Sequence, residues 1–281
     1  MSPNKATPPA SPVQTGGKIV RILLVGDVVA KPGMEAVKRL LPGLLRSEQA
    51  DFCIVNGENA EQGKGLVPTA ARDLFEAGAD VITGGNHTLY RDKLHEMIEA
   101  DRRLLRPLNF PEGTAGRGLG IFDLRGGRQI GVLNLQGRAL FSPSDDPFRK
   151  GKAAIEELRR ETPLIIVDFH AEATAEKLAF ARYVDGSVTA VIGTHTHVQT
   201  ADEQILDGGT AYITDVGMTG SHAGVIGMAT ENALTRFLYP FGPTKTACAE
   251  GDTRLSAVTV DADYVTGKAL AIRRLHLRAG A

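Results

Sequence analysis

At 281 residues, with 42% hydrophobic and 23% charged side chains, the chain is long enough to close one large domain around a sizeable core. Its formal charge of −1 provides no global basic field, so an extended nucleic-acid groove is not expected and small anions fit better as ligands. No apolar run approaches the roughly 20 residues that cross a bilayer, and the N-terminus lacks the basic, apolar, small-residue order of a secretory signal. These features exclude a membrane partner and point to the cytoplasm.

Residues 1 to 17 are rich in Pro, Ser, Thr, Ala and Gly, a composition expected to form a disordered extension, with residues 18 to 281 as one domain. From Lys18 onward, β-branched runs alternate with amphipathic stretches. Ile19 to Val25 reads as a strand and Gly33 to Arg46 as a helix. Phe52 to Val55 and Asp80 to Thr83 repeat the strand signal, and Pro68 to Ala77 reads as a helix whose first turn tolerates Pro68. That order predicts an α/β fold with a parallel sheet. Cys53 lies in an apolar run and Cys248 is the other cysteine, so a reduced core thiol is expected at Cys53. Gly118 to Leu124 and Gln129 to Leu135 flank Gly126 and Gly127, which predicts a hairpin and some antiparallel pairing. Leu164 to Phe169, Ala173 to Tyr183 and Val188 to Ile192 restore the β, α, β order. Leu255 to Val260 and Ala269 to Arg274 alternate as strands. There is no internal repeat and no second-domain boundary.

The chemistry lies in what ends these strands. Asp27 follows the first, Glu58 and Asn59 the second, Asn86 and His87 the third; His170 closes Leu164 to Phe169, and His195 and His197 follow Val188 to Ile192. In parallel α/β sheets the carboxyl edge is where loops converge and sites assemble. An i, i+2 pair on extended backbone points both side chains to one side, which is expected to aim His195 and His197 at one centre. Any one such residue alone is ordinarily a turn or cap residue; seven at strand ends are not so explained. Two carboxylates, two amides and three imidazoles exceed one tetrahedral zinc site and suit two ions that share Glu58 and a water. The mixed nitrogen and oxygen set favours iron or manganese, with zinc a further candidate, over magnesium or calcium. Asp27 and Glu58 offset two of the four charges of two divalent ions, so the centre stays electropositive. His95, in a polar helical stretch, is assigned to a solvated face, and His276 to an exposed basic tail. The roles of Asp168 and His222 are left open, His222 reading more readily as a loop histidine without function. Lys31, Pro32 and Gly33 match no phosphate-loop spacing and read as the start of a helix.

Gly26-Asp27-Val28-Val29, Asn56-Gly57-Glu58-Asn59, Gly85-Asn86-His87-Thr88, Phe169-His170-Ala171-Glu172 and Gly193-Thr194-His195-Thr196-His197 resemble, in order, the motifs of the calcineurin-like metallophosphoesterases. More narrowly they resemble the bacterial YmdB-like branch, described as 2′,3′-cyclic-nucleotide 2′-phosphodiesterases. The match runs from Ile19 to about Met228. The resemblance implies a sandwich of two mixed β-sheets flanked by helices, with a dinuclear metal site at the strand C-terminal ends. It places Asp27, Glu58, Asn59 and His197 around one ion, Glu58, Asn86, His170 and His195 around the other, and His87 as proton donor. It further implies attack on a small phosphodiester or cyclic nucleotide by a hydroxide bridging the ions, leaving a nucleoside 3′-phosphate. Val29 replaces a histidine of the wider superfamily, with Asn59 as its substitute, and Thr88 replaces an acidic residue, both as in the branch. Leu89 with Tyr90, and Ser221 with His222, depart from the branch and bear on substrate preference. Two other readings use the same residues: a phosphomonoesterase or protein phosphatase, and a regulatory nucleotide- or partner-binding protein with secondary catalysis. Assembly as a homo-oligomer is left open.

Overall fold

The computed structural model describes residues 19–124, 127–243 and 246–280. The expected N-terminal extension, its boundary at residue 18 and the Gly126 half of the hairpin turn lie outside the described residues. Strand β1 (Ile19–Val25) leads into helix α1 (Ala30–Glu48), followed by β2 (Phe52–Asn56), α2 (Pro68–Glu76), β3 (Val81–Thr83) and the short α3 (His95–Ala100). Lys31, Pro32 and Gly33 fall in the first turn of α1, and Pro68 opens α2. Next come β4 (Leu119–Leu124), β5 (Arg128–Gln136), α4 (Pro147–Leu158), β6 (Ile165–His170), α5 (Thr174–Tyr183) and β7 (Ala190–Thr194). The chain closes with β8 (Gln204–Ile205), β9 (Ala211–Ile213), β10 (Gly220–Ser221), α6 (Thr230–Leu238), β11 (Thr253–Asp263) and β12 (Ala269–Arg278).

Two mixed sheets result. In the first, β1, β2 and β3 run parallel, while β11 returns antiparallel on the free side of β1 from Ile19 opposite Asp263 to Val25 opposite Ala257. β11 then carries β12 and β10, both antiparallel. In the second, β5, β6, β7 and β9 are parallel, with β4 and β8 antiparallel at the two edges. Parallel strands covered on both faces read as continuous apolar runs, and alternation in β1 shows how each face is used. Val20, Ile22 and Leu24 pack with Ile130, Val132, Ile166 and Ile192 between the sheets. Leu23 and Val25 face Val37, Leu41 and Leu74 of the helices outside. On the far side Phe169 and Val167 meet Ile155, Leu158 and Phe180 of α4 and α5. The fold is therefore a sandwich of two mixed sheets flanked by helices, as the family resemblance implies.

Two expectations change. β7 begins at Ala190 and runs to Thr194, two residues later than the apolar run suggests. His276 lies within β12 and not in a tail, exposed as its setting suggested, with its ring packed edge-on against His222 at 5.2 Å. His222 is correspondingly held on two sides, by that ring and by a contact of 3.3 Å from its Nε2 to the Met218 carbonyl. Cys53 is buried and unpaired, as expected. No helix among the described residues is long and apolar enough to cross a membrane.

The turn after β1 depends on close backbone approach. A Cβ on Gly26 would lie 1.8 Å from the Gly217 carbonyl oxygen. Gly26→Ala is expected to push the Gly217 loop off β1, destabilising the protein by about 1–3 kcal/mol and lowering its thermal midpoint by several degrees. A midpoint equal to wild type would refute this account of the turn.

Candidate metal centre

Loops from both sheets meet at one edge. Asp27 follows β1, Glu58 and Asn59 follow β2, and Asn86 and His87 follow β3; His170 ends β6, and His195 and His197 follow β7. Glu58 reaches both halves of the group. Its carboxylate accepts from Asn59 Nδ2 at 2.8 Å and from the His87 amide at 2.9 Å, and stands 3.3 Å from His170 Nε2. On one side His170 Nε2 lies 3.0 Å from Asn86 Oδ1 and 3.1 Å from His195 Nδ1. On the other, His197 Nε2 lies 3.2 Å from Asn59 Nδ2 and 4.0 Å from Asp27 Oδ1. His87 Nδ1 sits 2.9 Å from Asn59 Oδ1. All eight sequence-predicted residues are thus gathered in one place.

The histidine pair converges for a different reason from the one expected. The strand stops at Thr194, and both His195 (φ 99°) and His197 (φ 66°) adopt left-handed backbone that non-glycine residues avoid. Such strain persists only where surroundings impose it. The His195 amide donates to Asp27 Oδ2 at 3.1 Å, and the Thr196 amide to Asp215 Oδ2 at 2.9 Å. Lys177, fully buried, donates through Nζ to the Thr194 carbonyl and to Asp215, both at 2.8 Å.

Each imidazole is also fixed from behind. Thr194 Oγ1 donates to Asp168 Oδ1 at 2.7 Å, so it accepts from His170 Nδ1 at 2.9 Å and turns Nε2 toward the cluster. His195 Nε2 contacts Glu172 at 3.0 Å and His197 Nδ1 donates to the Ile226 carbonyl at 2.9 Å, which leaves His195 Nδ1 and His197 Nε2 inward. Asp168 is therefore no lining residue. Buried one layer below, it accepts from Asn56 Nδ2 at 3.0 Å and Thr83 Oγ1 at 2.5 Å and ties the two sheets together. Sequence reading gave no role to Thr194, Glu172, Lys177 or Asp215; Glu172 and Thr194 stand inside the quoted motifs beside the histidines, whereas Lys177 and Asp215 gave no local signal.

The electrostatics describe a site built for a cation. Asp27 Oδ1 is buried with no hydrogen-bond partner. Burial pushes the Asp27 carboxyl up to about 6, against the pull of His197 and His170. Burial opposes charge on His170, yet Glu58 and Asp27 raise it to about 9, and burial together with that charge pushes His195 down to about 3. One proton on His170 thus answers both carboxylates, at an atom that a metal ion would otherwise occupy. Glu58, His170 and His195 each offer a ligand atom within 4.8 Å of the others, a group able to hold a metal ion. A Cβ on Gly85 would fall 2.3 Å from His170 Nε2 and 2.4 Å from Glu58 Oε2, so only glycine leaves this space open. Asn59 turns Nδ2 toward Glu58 and His197 and Oδ1 toward His87; a 180° amide rotation would present Oδ1 to a cation and leave Nδ2 to engage His87 Nδ1.

The model of the family described as YmdB-like protein matches residues 23–275. The chain belongs to the YmdB-like family. The match passes beyond Met228 through β11 and into β12, further than the five motifs alone indicate, because those two strands complete the sheet that carries Asp27 and Glu58. Among YmdB-like relatives, the chain is 49% identical over 256 residues to the 2′,3′-cyclic-nucleotide 2′-phosphodiesterase of Bacillus subtilis, covering 91% of this chain and 96% of that protein. It is 41% identical over 225 residues to a putative phosphatase/phosphodiesterase of Mycoplasma pneumoniae, covering 78% and 79%. A crystal structure of a hypothetical protein from Thermus thermophilus superposes with a TM-score of 0.86 at 40% identity, covering 92% of this chain and 99% of that one. That of a novel phosphatase from Mycoplasma pneumoniae gives the same TM-score at 35% identity, covering 92% and 94%.

The buried ion pair under the histidine loop offers a test. Lys177→Met removes the charge that faces Asp215, and unpairing a buried charge costs about 3–5 kcal/mol. Urea denaturation is expected to show a loss of that size, whereas a difference under roughly 1 kcal/mol would mean the pair does not hold the loop.

Proposed function

We propose that the chain is a dinuclear metal-dependent phosphodiesterase acting on small cyclic nucleotides of the 2′,3′-cyclic AMP type and yielding the nucleoside 3′-phosphate. The observation that carries the reading is the unpartnered, buried Asp27 Oδ1 inside a cluster of strand-end histidines, in a chain 49% identical to a 2′,3′-cyclic-nucleotide 2′-phosphodiesterase. Asp27, Glu58, Asn59 and His197 would hold one ion, and Glu58, Asn86, His170 and His195 the second. The nitrogen and oxygen donor set favours iron or manganese, with zinc a further candidate. Divalent ions bound there supply Lewis acidity toward phosphoryl oxygens and acidify water at neutral pH.

The chain's own residues do the rest. Glu58 and Asn59 fix His87 from two sides, through its amide and its Nδ1. With Nδ1 engaged, Nε2 is the atom left to donate a proton to the departing ribose oxygen. The side chain is 24% exposed, so it stands at the mouth of the cluster where substrate arrives. Phe141 packs edge-on against His195 at 4.7 Å and covers that flank with an apolar ring.

A cytoplasmic address belongs to the same proposal and is supported by two unpaired cysteines. So does self-association: Leu234, Phe237 and Leu238 of α6, with Tyr239 and Phe241 beyond it, form an exposed apolar surface of the kind that marks interfaces.

Metal analysis of purified protein with a screen of matched mono- and diesters tests the reading as a whole. Preference for monoesters would favour the phosphatase alternative. Glu58→Ala is expected to lower metal content at both positions, because one carboxylate contacts both halves; a content still near wild type would contradict the shared role. His87→Asn is expected to slow cyclic-nucleotide hydrolysis by roughly 10²- to 10⁴-fold, the range for general acid catalysis. Its effect on bis(p-nitrophenyl) phosphate, whose leaving group needs no proton, should be much smaller at unchanged metal content. Equal losses on both would remove His87 from the acid role.

A further inference from the structure

A cleft of about 420 Å³ opens beside the cluster at His197, within the ~300–1,000 Å³ range of small-molecule sites. A larger hollow of about 660 Å³, between Arg46, Asp51, Asp80 and Asp123, contains none of the cluster residues. The cleft beside His197 has a mixed lining, apolar at Val29, Ile226, Met228 and Cys248, and aromatic and cationic at Tyr90, Lys64 and Arg91. Tyr90 is 58% exposed, a large ring with no core to fill. Its ring lies edge-on to His87 with centroids 6.2 Å apart. Arg91 is pinned, donating through Nε to the Lys64 carbonyl at 3.1 Å and through Nη2 to the Glu61 carbonyl at 3.4 Å, and its guanidinium lies 5.3 Å from the Tyr90 ring. Lys64 Nζ, 5.7 Å from the same ring, belongs to an exposed side chain that is free to swing aside.

We propose that this cleft is the nucleobase subsite, in which the base of a cyclic nucleotide lies against Tyr90 in a cleft also lined by Val29, Ile226 and Met228. The inference rests on the phosphodiesterase reading above and adds to it where the base is held and why that placement presents the O2′ ester for cleavage. In a 2′,3′-cyclic nucleotide, O2′ and the base are carried by adjacent ribose carbons, whereas O3′ is one carbon further away. A substrate that directs O2′ toward His87 therefore brings its base to the His87 side of the cluster, where Tyr90 stands. Directing O3′ toward His87 would carry the base away from that ring. Tyr90 thus favours expulsion of O2′ by where it holds the base. Stacking on an aromatic ring tolerates every base, because each has a π face.

Tyr90→Ala and Tyr90→Phe in the full, metal-loaded chain test this with two substrates, 2′,3′-cyclic AMP and the base-free 1-O-methylribose 2′,3′-cyclic phosphate. Loss of one base–ring stack is expected to lower the preference for the nucleotide, as the ratio of kcat/KM values, by roughly 5- to 100-fold in the alanine variant. Most of the change should appear in KM, and phenylalanine should restore the ratio. Calorimetric binding of adenosine 3′-monophosphate should weaken by a similar factor in the alanine variant. A ratio equal to wild type in Tyr90→Ala, or no rescue by phenylalanine, overturns the subsite. The two failures are distinct: wild-type protein that binds the nucleotide through Tyr90 but hydrolyses no cyclic nucleotide sinks the proposed reaction and leaves the subsite, whereas equal turnover of both substrates by wild type sinks the subsite alone.

Discussion

Asp27 and Glu58 are shut away from water where the two sheets meet, with 0% and 1% of their surface exposed. A carboxylate buried without compensation is among the least favourable groups a fold can contain. The first sheet supplies both anions and answers Glu58 in part through Asn59 and His87, while His170, His195 and His197 come from the second. The sandwich therefore has to bring its two carboxyl edges into register, and the apolar interior between β1, β2 and β11 on one side and β5, β6 and β7 on the other fixes that alignment. Asp168 adds a polar clasp to it. Its carboxylate, on the second sheet, takes hydrogen bonds from Asn56 and Thr83 of the first and from Thr194 beside it. The same carboxylate sets which nitrogen of His170 faces the cluster.

What the sequence made legible follows from what is local. Strand ends are marked by an apolar run giving way to glycine and a ligand-type residue, so Asp27, Glu58, Asn59, Asn86, His87 and His170 could be placed from periodicity and residue type. His195 and His197 were identified on an argument the backbone contradicts: two left-handed residues, not an extended pair, aim them inward. Nothing in Gly193-Thr194-His195-Thr196-His197 announces that conformation, because it is imposed by Asp27, Lys177 and Asp215 from elsewhere in the chain. Lys177 illustrates the limit. Among Thr174, Glu176 and Arg182 it reads as an ordinary surface lysine, and only the packing of α5 over β7 turns it inward. Asp168 was undecidable for a similar reason, since its donors lie 26 to 112 residues away. The mixed sheets were legible only in part: the βαβ order gave the parallel strands, whereas the return of β11 beside β1 depends on pairing across the whole chain.

A chain with a formal charge of −1 has little long-range attraction for an anionic substrate. The arrangement concentrates positive charge instead of spreading it. Inside the cluster, two divalent ions would exceed the charge of the two carboxylates and leave positive charge at the cluster mouth, where His87 also stands. Outside it, Lys64 and Arg91 line the adjoining cleft. Local placement of this kind selects for size as well as charge. A small diester can meet the cluster and the cleft together, while a long polyanion finds no continuing basic track.

Cluster and cleft also differ in how much they can change without loss of the fold. The cluster residues are buried, strained or tied to partners on both sheets, so replacing one disturbs the alignment that all of them need. Tyr90, Lys64 and Ile226 are exposed and lie on loops outside the sandwich interior, where substitution removes little core contact. The chemistry is thereby tied to the fold and the choice of substrate is not. Tyr90 lines the cleft while its neighbour Leu89 packs against the core, so a change at Tyr90 leaves Asp27, Glu58 and the histidines untouched, and such a position is where a protein with this division of labour can vary its substrate while keeping its reaction.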